Sequence, residues 1–146
     1  MTRSSATSVP RSSEAFARLD EWVRKGTAAP RATRLELKDA GTAQASFVTD
    51  RFGHGVGGVR TPYVEVPVAT YVTNSPGPGT CREMGHTIPF DWARLETIYG
   101  NYKSYAAKAA ESVDRLVQER WLTSGDARRV TAELMQASPG LGGKNE

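Results

Sequence analysis

The stretch that decides the fold is DRFGHGVGGVRTPYVEVPVATY, residues 50–71. It opens with four closely spaced glycines: Gly53, Gly55, Gly57 and Gly58. Glycine permits positive φ angles and a close approach of the backbone to its neighbours. After Pro62 the stretch is rich in β-branched and aromatic residues, which is typical of a strand. We therefore predict an irregular glycine-rich turn that leads into a strand, with Pro67 at an edge position or a bulge because it lacks an N–H group.

The glycine spacing also matches a nucleotide-binding pattern. Gly53, Gly55 and Gly58 fit the formula G-x-G-x-x-G, which requires a preceding strand and a helix that opens at its end. Here Pro62 follows closely and disfavours a helical conformation at Thr61. A tight irregular turn is therefore favoured, and a dinucleotide site is the disfavoured alternative.

Arg60 lies between the glycines and the predicted strand. A guanidinium that is even partly buried needs a charged partner, and Asp50 or Glu65 could supply the carboxylate. We favour a structural or solvated arginine over one with a functional role.

Upstream of this stretch the sequence predicts one helix and two short strands. The helix covers residues 14–25, with Ser12 or Ser13 as its N-cap and Gly26 as its stop. Its apolar face must dock on another element, with Trp22 as the anchor; the face consists of Ala15, Phe16, Leu19, Trp22 and Val23. Alternation predicts a half-buried strand over residues 34–38, and a weaker strand candidate covers residues 46–49.

Downstream, the sequence predicts a loop, an irregular segment over residues 81–89 and three helices. Asp91 caps a short helix that ends at Gly100. Asn101 caps the longest helix, which carries a sustained apolar stripe and runs to about Trp121. Thr123 or Ser124 caps the last helix.

Length and charge restrict the class of protein. A chain of 146 residues is the size of one domain and is long enough to bury a core. Its formal charge of +3 is spread without a dense basic patch, which argues against a nucleic-acid partner. No run approaches the roughly 18 apolar residues of a membrane helix, and the first residues carry no apolar signal core. We expect a soluble chain with no membrane partner, cytoplasmic by default.

Composition divides the chain into three segments. Residues 1–12 are rich in Ser, Thr and Arg and are predicted to be a disordered lead-in. Residues 13–137 form the folded part, and the glycine-rich residues 138–146 form a flexible tail.

The sequence contains no recognisable catalytic or metal-binding motif. No serine lies in a G-x-S-x-G frame, the sharp turn that exposes the nucleophile of α/β hydrolases. Cys81, the single cysteine, with His86 as its base, is a possible nucleophile, but a structural thiol is favoured. His54, Cys81 and His86 do not have the spacing of a metal site. We predict no catalytic residue, no metal and no cofactor in this chain.

Several blocks of the sequence resemble the late part of a family of bacterial α/β-hydrolase-domain proteins. The resemblance begins with LDEWVRKGT at residues 19–27, continues through residues 30–31 and 35–37, and is most specific across residues 50–71. It extends over roughly residues 15–136. The positions that carry the pattern with an expected structural role are Asp50, Gly53, Gly57, Gly58, Arg60, Pro62, Pro67, Tyr71, Cys81, Pro89 and Phe90.

In that family the nucleophile elbow and the acid and histidine of the triad lie upstream of the helix that resembles residues 19–25. The resemblance therefore implies the C-terminal segment of an α/β-hydrolase-like fold, of α+β class. Such a segment would comprise one helix, a few short strands around an irregular glycine-rich loop, and a helical tail. It implies no catalytic role for His54 or His86, which fall outside the family's histidine position.

Two functional hypotheses follow from this resemblance. The leading one is the C-terminal portion of a serine esterase- or amidase-like hydrolase, truncated or split, which lacks the elbow and triad and is inactive alone. The alternative is a non-catalytic interaction module that completes or caps a partner hydrolase core. Because the helix over residues 14–25 would normally cover a sheet, its apolar face predicts binding to that missing core or self-association. A small enzyme that uses Cys81 is a third hypothesis.

Overall fold

A computed structural model of the chain describes residues 11–137. Residues 1–10 of the predicted lead-in, and the whole predicted tail at 138–146, lie outside the described residues. The described part contains five α-helices, one 3₁₀ helix and two separate two-stranded antiparallel sheets. The predicted α+β class is therefore confirmed.

The first helix, α1 (Arg11–Lys25), includes residues that we expected to lie before it. Ser12 and Ser13, the predicted N-cap candidates, belong to the helix instead of flanking it. Arginine and serine are both compatible with helical backbone, so this boundary is not visible in the sequence. The end of the helix is as predicted: Gly26 has a φ of 70°, and its N–H donates to the carbonyl of Trp22 at 2.9 Å.

The next two strands are shorter and more exposed than predicted. Strand β1 (Leu37–Lys38) pairs with β2 (Ser46–Phe47), with Leu37 opposite Phe47, and all four side chains are exposed. The segment before β1 is instead tied to the glycine-rich turn. Glu36 N–H donates to Val56 O at 3.0 Å, and Gly58 N–H donates to Thr33 O at 3.0 Å. The predicted half-burial of residues 34–38 is wrong for β1, because no described element packs over its side chains.

The predicted strand after Pro62 is wrong in its first half. Residues Pro62–Glu65 form a single helical turn, α2, which Thr61 precedes in an extended conformation. Proline suits the start of a helix because its fixed φ is already helical and its missing N–H would be unpaired there. This effect outweighs the β preference of the next residues. The strand begins only after Pro67, as β3 (Ala69–Val72).

The segment predicted to be irregular over residues 81–89 contains a strand. Strand β4 (His86–Pro89) pairs with β3 in an antiparallel register that places Ile88 opposite Thr70. Between the two strands lies the 3₁₀ helix Gly79–Glu83, which contains Cys81. The partner strand β3 decides this pairing, so the local pattern of residues 81–89 does not reveal it.

All three predicted C-terminal helices are present: α3 (Trp92–Tyr99), α4 (Tyr102–Gln118) and α5 (Ser124–Gln136). Their predicted caps are confirmed as side-chain oxygens that accept backbone N–H groups. Asp91 accepts from Arg94 at 2.8 Å, Asn101 from Ser104 at 2.9 Å, and Thr123 from Asp126 at 3.0 Å. Helix α4 ends three residues before the predicted Trp121, because the chain reverses at Arg120 with a φ of 64°.

The hydrophobic core lies between α4 and α5 and extends to α3 and the α2–β3 segment. Its fully buried centre is Tyr105, whose hydroxyl donates to Leu134 O at 3.0 Å. Tyr99 meets the Tyr105 ring edge-on at 5.2 Å and donates its hydroxyl to Pro67 O at 2.8 Å. These two tyrosines join the helical body to the end of the glycine-containing stretch. Trp92 is exposed, and Trp121 is half-buried.

Helix α1 is not part of this core, and Trp22 does not anchor it to the described part of the chain. Phe16, Leu19, Trp22 and Val23 are 71%, 53%, 56% and 78% exposed. The polar side of the helix is the more buried one: Glu21 forms an ion pair with Arg120 at 2.8 Å. Arg120 also donates to Ala28 O at 3.2 Å. The apolar face therefore points away from the described body, because no described element lies against it.

None of the helices among residues 11–137 has the length and apolar character that crossing a membrane requires.

Candidate functional site

Arg60 is the centre of a hydrogen-bonded cluster that organises the glycine-rich turn. Both carboxylates that the sequence offered as partners bind it. Its Nη2 lies 2.6 Å from Asp50 Oδ2 and its Nε lies 2.7 Å from Glu65 Oε2. Its Nη1 donates to Gly55 O at 2.9 Å. One guanidinium thus connects the start of the turn, its middle and helix α2.

Asp50 receives hydrogen bonds from the turn that follows it. Its Oδ1 accepts the backbone N–H groups of Phe52 at 2.9 Å and of His54 at 3.0 Å, while Oδ2 binds Arg60. Burial alone would raise the pKa of Asp50, but the hydrogen bonds from Arg60, His54 and Phe52 outweigh it and lower the pKa. The Asp50 carboxylate is therefore a stably ionised structural group, and it has no proton to give as a general acid.

Gly57 explains why the turn needs glycine. Its φ is 90°, and a Cβ atom at this position would lie 2.1 Å from the carbonyl oxygen of Arg34. Gly53, with a φ of 84°, has a milder requirement, because a Cβ there would meet the Thr70 methyl group at 3.2 Å. The glycines thus bring the segment before β1 and strand β3 against the turn. This close packing of chain on chain supports the irregular turn over the dinucleotide site.

His54 is buried at the back of the turn, with 4% of its surface exposed. Its Nε2 accepts the backbone N–H of Tyr71 at 3.2 Å, and its ring stacks on the Tyr71 ring at 5.6 Å. Burial lowers the pKa of His54, although the Asp50 charge acts in the opposite direction. Because Nε2 is an acceptor, the proton of the neutral ring is on Nδ1, which has no hydrogen-bond partner among the described residues. His54 therefore ties the turn to β3 and faces no nucleophile.

The structure places a serine and a histidine together, which no sequence pattern indicated. Ser75 Oγ lies 3.0 Å from His86 Nδ1 and 2.8 Å from Met84 O. The hydroxyl has one proton and donates it to Met84 O, so Nδ1–H of His86 is the donor to Ser75. A catalytic histidine must instead accept the serine proton, and an acid must orient its other nitrogen. The pairing of β3 with β4 brings these residues together, and only a prediction of that hairpin could have found them.

The other residues on which the resemblance rests lie in different environments. Pro62 and Pro67 are buried, and Phe90 packs against Phe52 with ring centroids 5.8 Å apart. Pro89 is the exposed end of β4, and Tyr71 is half-buried beside His54. Cys81 lies in the 3₁₀ helix, and its side chain is outside what the structure describes. The described side chains among these residues therefore make contacts within the fold.

Residues 11–137 contain no group of three or more His, Cys, Asp or Glu side chains that could hold a metal ion. Within the described part, Arg60 forms ion pairs with Asp50 and Glu65, and His54 accepts the backbone N–H of Tyr71. The site is thus a structural cluster around Arg60.

A comparison with protein families matches residues 2–132 to the family described as alpha/beta hydrolase domain. The match includes most of the chain, so the protein belongs to this family. Comparisons with curated proteins and with solved structures returned no match. The resemblance inferred from the sequence is therefore confirmed at the level of the family.

Proposed function

We propose that this chain forms a non-catalytic portion of an α/β hydrolase, of the kind that follows the catalytic residues in the family. The nucleophile, acid and histidine would be supplied by another stretch of polypeptide, on which α1 docks. The observation that carries this proposal is the outward apolar face of α1, formed by Phe16, Leu19, Trp22 and Val23.

The absence of a nucleophile elbow supports the non-catalytic role. The elbow is a strained turn between a strand and a helix, with the sequence G-x-S-x-G, that exposes the nucleophile at the top of a hydrolase sheet. None of the 146 residues forms this motif, and residues 11–137 contain two-stranded antiparallel sheets without a parallel one. The pair of Ser75 and His86 has the wrong proton arrangement for a nucleophile and base.

The orientation of α1 supports a docking role. Glu14, Arg18 and Glu21 form a polar stripe on the more buried side of the helix, joined by the ion pairs of Arg18 with both acids. The apolar stripe on the other side is a contiguous exposed patch, which in monomeric proteins marks an interaction surface. In α/β folds such a helix covers the face of a sheet. A sheet supplied by the hydrolase core fits this stripe.

The exposed patch also favours a second candidate, an interaction module that completes or caps a separately encoded hydrolase core. The two proposals share the docking surface and differ in where the core is encoded. Translation of every reading frame of the neighbouring DNA separates them. A frame that continues into this chain and encodes an elbow supports a split hydrolase, whereas an elbow in an independent gene supports the module.

Labelling with a fluorophosphonate probe tests the non-catalytic role. Fluorophosphonates react with activated serine nucleophiles, so the purified chain should remain unlabelled in conditions that label a known serine esterase. The Ser75→Ala variant is the matched control. Labelling of the chain that disappears in this variant would show that Ser75 is a working nucleophile and would overturn the proposal.

A further inference from the structure

Arg120 occupies a backbone position that glycine normally fills. Helix α4 ends in a Schellman turn, in which the N–H of Arg120 donates to Val117 O at 3.0 Å. The next residue closes the turn, because the N–H of Trp121 donates to Leu116 O at 2.8 Å. The residue at the corner of this turn is left-handed, and Arg120 has a φ of 64°. Glycine is preferred there because a Cβ atom strains the left-handed conformation.

Local preference does not explain the arginine at this corner. Among residues 11–137, Asp39 is the other non-glycine residue with a positive φ, at 53°. Aspartate is enriched in the left-handed region, since its short polar side chain can bond to the nearby backbone, whereas arginine is not. A strained backbone position that is kept in this way points to a role for the side chain.

The Arg120 guanidinium holds helix α1 on both sides of its C-terminal stop. Its Nη2 lies 2.8 Å from Glu21 Oε2, within the helix, and its Nη1 donates to Ala28 O at 3.2 Å, two residues after Gly26. The planar fork of arginine can serve two acceptors at a fixed angle, which the single ammonium group of lysine does not reproduce. Residues 26–29 are exposed, so this fork fixes the path of an otherwise open segment.

Glu21 transmits this contact to the rest of α1. The same Oε2 atom lies 2.5 Å from Arg18 Nη1, and Arg18 also pairs with Glu14. Among the described side chains of α1, residues 14–25, Glu21 is the one that forms a hydrogen bond or ion pair outside the helix. The direction of α1 therefore depends on one contact with the corner that follows α4.

We propose that Arg120 is a positioning residue, a latch that fixes the direction of α1 and holds its apolar face outward. A helix whose direction is fixed before binding loses less conformational freedom when a partner docks on it. The consequence for docking rests on the function proposed above, whereas the latch itself is a property of the free chain. The latch and the docking can therefore fail separately.

Residual dipolar couplings of the backbone amides of the purified full chain test the latch, because they report the direction of each helix. In the wild type, one alignment tensor should fit the couplings of α1 and α4 together. In Arg120→Gly, whose glycine suits the left-handed corner but lacks the guanidinium, the α1 couplings should shrink while those of α4 stay the same. Asp39→Gly, the same substitution at the other left-handed position, is the matched control and should retain the common fit.

Glu21→Ala removes the other side of the latch and leaves the turn after α4 untouched, so it should also release α1. This variant decides the proposal even if Arg120→Gly fails to fold. A common fit of α1 and α4 that persists in either variant would overturn the proposal.

Thermal denaturation tests the strain at the corner. Arg120→Gly should melt at a higher temperature than Arg120→Ala, because both variants lack the guanidinium and only glycine adopts the positive φ without strain. Equal melting temperatures would mean that the corner favours no glycine, and the argument for a latch from the strained backbone would be overturned.

Binding to a hydrolase core separates the latch from the docking. Where a core binds the wild type, Arg120→Gly should bind it more weakly, because the direction of α1 is no longer fixed. A core that binds both forms equally would overturn the positioning role and leave the docking intact. Absence of binding by both forms, with α1 released in Arg120→Gly, would overturn the proposed docking and leave the latch intact.

Discussion

Helices α1 and α4 carry the same kind of apolar stripe and place it in opposite environments. In α4 the stripe is buried, with Tyr105, Ala109 and Val113 almost inaccessible to solvent. In α1 the stripe is exposed, and the charged side of the helix is held by Arg120. Helical periodicity thus identifies which face is apolar but not which element covers it. The difference leaves the apolar face of α1 exposed in the described part of the chain, and the proposed docking of this helix rests on that exposure.

The strongest test of this comparison is a Leu→Ala substitution made once in the buried helical core and once in α1. Leu134→Ala in α5 removes a fully buried side chain and should lower the free energy of unfolding by about 2–5 kcal/mol. Leu19→Ala in α1 removes an exposed side chain and should change it by less than about 0.5 kcal/mol. Urea denaturation of both variants measures the difference. Similar losses at the two positions would mean that the α1 face is packed in solution.

The glycine-rich turn, which lies in the sequence between α1 and the C-terminal helices, should be the element next most sensitive to substitution. Gly57→Ala adds a Cβ atom 2.1 Å from Arg34 O at a positive φ, so we expect a loss of about 2–4 kcal/mol. Gly41→Ala is the matched control, because its φ of 85° is similar but no atom lies near its Cβ. That variant should lose only about 1 kcal/mol in the same denaturation measurement. Equal losses would mean that the contact with Arg34 does not constrain the turn.

The Arg60 cluster gives a smaller effect. Arg60→Ala leaves Asp50 and Glu65 without their partner, and because the cluster is partly exposed we expect a loss of about 1–2 kcal/mol. Arg24→Ala removes the exposed pair with Asp20 and should change the free energy of unfolding by less than about 0.5 kcal/mol. Thermal denaturation at two salt concentrations compares them. A loss at Arg60 no greater than that at Arg24 would assign the cluster to the solvated surface.

The smallest expected effect is the pH dependence of the free energy of unfolding that the titration of His54 causes. Burial lowers its pKa below 6.5 in the folded chain, so below that pH the unfolded chain binds more protons and stability falls. The free energy of unfolding should therefore decrease from this group as the pH falls from 7 to 5. His54→Gln should remove this part of the decrease, whereas His86→Asn, at an exposed position, should retain it. An identical decrease in the His54→Gln variant would refute the role of His54.

Local signals predicted the C-terminal half of the fold well. The caps Asp91, Asn101 and Thr123 and the apolar stripe of α4 depend on residues within a few positions of each other, so they are visible in the sequence. Strand β4 was missed because it depends on pairing with β3. The turn of α2 was missed because the proline at its start outweighs the β preference of the residues that follow. Long-range pairing of the kind that forms β4 has no local signature.

The site was predictable only in part for the same reason. Asp50 and Glu65 were identified as partners of Arg60 because they lie within ten residues of it. The contact of Ser75 with His86 and that of Arg120 with Glu21 result from the tertiary arrangement. The interaction-module hypothesis anticipated an exposed α1 face, and Trp22 is 56% exposed. The sequence shows which face of the helix is apolar but not which surface covers it.

The most direct test of the central claim takes any elbow-bearing hydrolase core that the neighbouring DNA is found to encode and measures its binding to this chain. Calorimetry and light scattering should show a one-to-one complex that forms with the wild type and with Ala132→Lys, an exposed control on α5. The Leu19→Lys, Val23→Lys double variant, which places two charges on the α1 face, should form no complex. Binding by the double variant as tight as that of the wild type, or no binding by any form, would contradict the account.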